Sequence, residues 1–224
     1  MQSAVEWEND DLGSAGRRVH GRPTLARKEE MRSAILSAAM VEFANLGFHG
    51  GSIAGIAQRA NVTRATIYKQ FSSKEAMLIK ICEHSSGRLR SEIEDAIDPK
   101  RPVWEVLHDV ALCFYKEGGS VDSRSISRIL VMEADRFPLL RKEFDERRRF
   151  ALEPLSRYFA TLCMGGQMAV EDEFQAALQF MHLVTSTVEY LFHEDRSPQF
   201  QERWIKSAVC IFLHGAYRSP RVDG

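Results

Sequence analysis

The chain has 224 residues, a net charge of −1, 44% apolar residues and 27% charged residues, which is ordinary for a folded soluble protein. No run approaches the roughly 18 uncharged apolar residues needed to span a bilayer. The acidic, polar N-terminus also lacks the basic-then-apolar pattern of an export signal, so a cytoplasmic protein with no membrane partner is expected.

Residues 1–21 read as a disordered tail, polar and Gly/Ser-bearing, ending in the basic Arg17-Arg18. Arg22-Pro23-Thr24 offers a helix start, with Thr24 as N-cap. Met31, Ile35, Ala39 and Phe43 recur every four residues and predict a helix over about 25–46. Gly47 follows at the C′ position, where a left-handed backbone suits a residue without Cβ. Ser52 caps a short second helix whose buried face is Ile53, Ile56, Ala57 and Ala60. Gly55 within it costs about 1 kcal/mol against alanine. Asn61 suits a left-handed turn, Val62 plugs that turn, and Thr63 caps a third helix anchored by Ile67 and Phe71. Ser72-Ser73-Lys74-Glu75 has the pattern of a capping box, with Ser72 as cap. It opens a helix predicted to reach about Ile97, ended by Asp98-Pro99.

Further helices are predicted near 102–116, 122–136, 138–164, 171–193 and 197–218. They are punctuated by Gly118-Gly119, Phe137-Pro138, Gly165-Gly166 and Ser197-Pro198. Pro154 should kink the fourth of the long segments. No stretch alternates with period two, and no internal repeat appears. The fold class is all-α, with about nine helices. Its parts are the tail (1–21), a helix-turn-helix unit (22–72), a connecting helix (73–98), a larger helical body (99–218) and a short C-terminal tail (219–224). The four cysteines, Cys82, Cys113, Cys163 and Cys210, form no C-x-x-C pair and read as reduced, buried thiols.

Charge is unevenly spread. Residues 1–16 carry net −4. Residues 17–80 carry eleven Lys/Arg against four Asp/Glu, and residues 81–224 carry nineteen against twenty-three. A basic block on an acidic remainder is the distribution of a nucleic-acid reader on a larger body. Two helices of about eight residues joined by a tight turn fit helix-turn-helix geometry, in which the second helix presents its first residues to the major groove. Its polar set is Arg64, Thr66, Tyr68, Lys69 and Gln70, preceded by the cap Thr63. The arginine fork matches guanine O6 and N7, and glutamine can pair with adenine N6 and N7. Ser52, Thr66, Tyr68 and Lys74 suit phosphate oxygens, which position without reading sequence.

Residues 27–80 resemble the DNA-binding domain of the tetracycline-repressor (TetR) family. The resemblance rests on Ile35, Ala38-Ala39, Phe43, Gly47-Phe48, Ser52-Ile53, Ile56-Ala57, Ala60, Val62-Thr63, Ile67-Tyr68, Phe71 and Ser73-Lys74-Glu75. Asn61 stands where the family usually has glycine. The resemblance implies that Arg64 and Thr66 read bases and that Tyr68 and Lys74 hold phosphate. It also implies a double-stranded DNA operator, a homodimer and an unidentified small-molecule effector as partners, with no cofactor.

The body is similar to the effector-binding and dimerisation domain of the same family. By that likeness the last two helices pair with their copies through Phe174, Leu178, Met181, Thr185 and Val188 and through Trp204, Ala208, Ile211 and Phe212. An effector pocket would be lined by Trp104, His108, Phe114, Met132, Tyr158, Phe159, Met164, Phe180 and Val184. Both stripes could equally close the subunit's own core. His182, His193 and His214 lie near one another in sequence, but no spacing puts two ligands on one helix face, so no metal is expected. No nucleophile motif or phosphate loop appears. The expected function is a repressor that an apolar effector releases from a palindromic operator. The rivals are a ligand-independent DNA-binding factor of the same fold and a helical enzyme, for which no catalytic cluster is found.

Overall fold

A computed structural model describes residues 25–133, 138–185 and 197–216. The described residues form nine helices: α1 (Leu25–Gly50), α2 (Ile53–Arg59), α3 (Arg64–Gln70), α4 (Lys74–Ala96), α5 (Val103–Gly119), α6 (Val121–Glu133), α7 (Pro138–Met164), α8 (Glu173–Val184) and α9 (Pro198–Ala216). The all-α class expected from the periodicity is what the structure shows.

Most helix ends follow the capping residues. Gly47, at φ 72° and ψ 168°, breaks α1, and one further turn carries the chain to Gly50. Only glycine holds that backbone without strain. The Ser52 and Thr63 hydroxyls accept from Gly55 N–H and Thr66 N–H. Asn61 takes the left-handed turn at φ 52°. Two ends differ from expectation. The cap of α4 is Ser73, not Ser72: its hydroxyl accepts from Ala76 N–H at 3.2 Å. Phe71 is extended and buried, and this turn of the chain brings Ser73 rather than Ser72 over the helix mouth. α8 stops at Val184, short of the predicted 193, with Thr185 in an extended conformation. The β-branched, hydroxyl-bearing Thr185 bonds Met181 O through Oγ1 at 2.8 Å, and Trp204 Nε1 donates to Val184 O at 2.8 Å. Those two bonds satisfy carbonyls that a longer helix would have used.

Pro154 lies inside α7, which continues across it as one helix. Proline cannot donate to the carbonyl four residues earlier. That carbonyl, Phe150 O, instead accepts from Arg90 Nη1 of α4 at 2.9 Å, while the guanidinium sits 4.7 Å from the Phe150 ring centre. The α4–α7 contact thus repairs the gap that the proline makes.

Two hydrophobic cores share α4. Its first half gives Met77, Leu78, Ile81 and Cys82 to a core built on α1–α3, and its second half gives Leu89 and Ile93 to the body's core. The division at residues 98–99 does not separate these cores cleanly. Ile126 and Ile129 of α6 and Leu140 of α7 also close the first one. No helix among the described residues is long and apolar enough to cross a membrane.

Candidate nucleic-acid interface

The second helix of the hairpin is seated by three buried residues, Ile56, Ile67 and Phe71. The turn before it is closed by Asn61 N–H to Gln58 O at 3.2 Å and Val62 N–H to Ala57 O at 3.0 Å. With the inward side fixed, Arg64, Tyr68 and Lys69 stand exposed, Tyr68 at 60%, and Gln70 is half-buried. The Thr63 and Thr66 hydroxyls lie 2.9 Å apart, and Thr63 also accepts from Thr66 N–H at 3.1 Å. Thr66 is therefore half-buried and partly spent on the cap, while Arg64 is wholly available. Ser52 is exposed at the mouth of α2.

Lys74 sits elsewhere than its expected role suggests. Its ammonium donates to Phe48 O at 2.8 Å, Gly51 O at 2.9 Å and His49 O at 3.4 Å. The structure thus brings Ser52, Thr63, Arg64, Thr66, Tyr68, Lys69 and Gln70 to one module, with Lys74 turned into its base.

In the body, Phe114, Tyr158, Phe159, Phe180 and Val184 meet in one buried cluster. Phe212 joins them, 4.8 Å from the Phe180 ring and 5.3 Å from Phe159 between centroids. Trp104 and the half-buried His108 lie at the cluster's edge, where His108 Nε2 is 3.4 Å from a Glu202 oxygen. Met132 and Met164 are 71% and 82% exposed and line no core. Their apolar character gave them a place in the stripe that the packing does not.

The expected pairing stripe also divides. Ala208 and Phe212 are buried in the subunit's own core, and Phe174, Leu178 and Met181 pack against it. Thr185 and Trp204 are half-buried, joined to the end of α8 by the bonds already given. Val188 lies outside the described residues, as does His193. Of the stripe only Ile211, 59% exposed, faces outward. It lines an open groove of about 610 Å³ with Leu183, Val170, Gln179 and His182. No group of three potential metal ligands occurs among the described residues.

Residues 35–81 match the model of "Bacterial regulatory proteins, tetR family", and residues 105–219 match that of the "AefR-like transcriptional repressor, C-terminal domain". The chain belongs to the TetR family of transcriptional regulators. Among curated relatives, the "HTH-type transcriptional regulator SrpR" of Pseudomonas putida is 24% identical over 202 residues, 89% of this chain and 92% of that one. The "Fatty acid metabolism regulator protein" of Bacillus subtilis (strain 168) is 33% identical over 73 residues, 33% of this chain and 38% of that protein's length. The crystal structure of a TetR-family regulator from Mesorhizobium loti MAFF303099 has the same fold. It superposes with a TM-score of 0.74 at 22% identity, covering 86% of this chain and 99% of that one.

The TetR hairpin here stands on a brace that the pattern of its sequence does not announce. Glu42 of α1 is only 3% exposed. Its carboxylate accepts from Arg59 Nε at 2.9 Å and from Ser52 N–H at 3.3 Å. The available signal is a charge on a buried stripe, because Glu42 is seven residues from Ile35 and four from Ala38. The Arg59 hydrogen bond, helped by the Ser52 N–H, outweighs burial and holds the Glu42 carboxyl below its ordinary range. A carboxyl depressed by folding adds stability that is complete above its unfolded pKa and is lost as the pH falls through the folded one. Acid should therefore loosen this hairpin. Melting curves of the wild type and Glu42→Gln across acidic pH are expected to converge as the pH falls. Parallel curves would show that Glu42 does not carry the effect.

Proposed function

We propose that this regulator binds a palindromic operator as a homodimer, one α3 per major groove, and that a small apolar effector releases it. The observation that carries the reading is Arg64, exposed at the first turn of a recognition helix whose other side is locked by Ile67 and Phe71. A single such helix reads few bases, and a two-fold pair reads two half-sites. Leu183 and Ile211, exposed on α8 and α9, support that pairing face. The likeness of residues 105–219 to a repressor's C-terminal domain favours repression over activation. Action on DNA places the protein in the cytoplasm, and no catalytic role is proposed.

The effector class follows from the body's chemistry. The aromatic cluster carries no ionised side chain. Phe212 links it to the groove, whose polar groups are Gln179 and His182. Burial, with Arg148 nearby, lowers the pKa of His182 and favours its neutral form. An uncharged, largely apolar molecule fits such surroundings. Its binding would reach the head through α4, which is tied to the α5–α6 corner. Glu117 there accepts hydrogen bonds from Ser85 and Arg88 of α4 and from Ser123 of α6.

The test starts from a random duplex pool, from which the protein should select a palindrome. On that operator Arg64→Ala should weaken binding by about 1–3 kcal/mol while leaving random DNA nearly unaffected. Equal losses on both, measured by fluorescence anisotropy, would remove Arg64 from base reading.

A further inference from the structure

We infer that Lys74 is a positioning residue of the DNA-binding head, acting through the 48–51 turn rather than by holding phosphate. An ammonium has three N–H groups and no acceptor. All three are matched here, to the carbonyls of Phe48, Gly51 and His49. The stem's charge also lies 5.1 Å from the ring centre of Phe48, a residue buried in the head's core.

These carbonyls close the turn that follows Gly47, where the backbone has no helical partner left for them. A cation at the end of a run of such carbonyls is favoured by their aligned dipoles. The contact spans 23 to 26 residues of chain. It joins the first residue of α4 to the residue immediately before the α2 cap, Ser52. Through that link the placement of α2, and of α3 beyond it, is set against α4. A phosphate could take the ammonium only by stripping it from these carbonyls, which would leave partly buried acceptors unpaired.

The inference rests on DNA being read by this head, and its test separates the two. Lys74→Met keeps the stem's length and removes the charge. Lys74→Arg keeps the charge in a planar fork that does not match three converging carbonyls. Both are titrated with selected operator in the cold, where the head stays folded, across a range of salt. Thermal melts and amide exchange of residues 48–51 run in parallel.

Lys74→Met should lose about tenfold in operator affinity, the scale of a lost charged hydrogen bond. The slope of log affinity against log salt should stay unchanged, with faster exchange at 48–51. Lys74→Arg should not rescue it. A slope shallower by about 0.9, the signature of one lost phosphate contact, would overturn the inference, as would rescue by arginine. Unchanged affinity in the cold with a lowered melting temperature would also overturn it, since Lys74 would then serve stability alone. Failure of the wild type to bind any duplex would instead overturn the operator reading and would leave the exchange result at 48–51 intact.

Discussion

The Ile211→Glu variant is expected to be monomeric and to lose operator binding. Ile211 stands 59% exposed on α9, beside the exposed Leu183 of α8. Its removal leaves the subunit's core intact, because Ala208, Val209 and Phe212 carry the inward side of the same helix. In a two-fold interface one patch meets its own copy, so each substitution enters twice. Burying an isoleucine contributes roughly 1.5–3 kcal/mol. A glutamate in its place loses that and puts a carboxylate into an apolar contact without a partner. Two linked heads gain about 10²–10⁴ in affinity over one, so loss of the dimer should cost operator affinity on that scale. Sedimentation at micromolar protein and operator titration should show both changes together. Lys142→Glu, a charge reversal at an exposed site on α7, should show neither. A dimeric Ile211→Glu protein with wild-type affinity would place the pairing face elsewhere.

That test is needed because helical periodicity finds an apolar stripe but not what covers it. Phe174, Leu178, Ala208 and Phe212 recur at helical spacing, and the structure spends them on the subunit's own core. Ile211, adjacent to Phe212 in sequence, is turned outward. The same limit explains Met132 and Met164, apolar side chains left on the surface.

Helix ends were more legible, because their causes are local. Gly47, Ser52, Asn61 and Thr63 each do what their own side chain, or its lack, permits. Where two neighbours had equal capping chemistry, as at Ser72 and Ser73, only the path of the chain decided between them. The contacts that brace the head were not legible. Glu42 reaches Arg59 across 17 residues, and Lys74 reaches Phe48 across 26. In each case the sequence shows a charge but not its partner. Arg59 adds to the count of the basic block yet is neutralised by Glu42.

Gly55→Ala should destabilise the head, against the ordinary expectation for a helix interior. Helix propensity alone favours the alanine by about 1 kcal/mol. A Cβ at this position, however, would lie 2.6 Å from Cδ of Glu42, with a carboxylate oxygen nearer still. That carboxylate cannot swing aside cheaply, because Arg59 and Ser52 N–H both hold it. Displacing it breaks a buried, charged hydrogen bond and leaves acceptor and donor to find other partners. Crowding of this kind costs typically 1–3 kcal/mol, enough to outweigh the gain in propensity. The double variant Gly55→Ala/Glu42→Ala decides the cause. If the carboxylate is the obstacle, adding the alanine at 55 should stabilise a chain that already lacks Glu42. The two substitutions would then couple strongly, as groups in contact do. Chemical denaturation of the four proteins in the cycle measures that coupling. A loss from Gly55→Ala that persists undiminished without Glu42 would mean that α2 needs its glycine for another reason. The glycine that looked like a weakness in a short helix is then the space that its brace occupies.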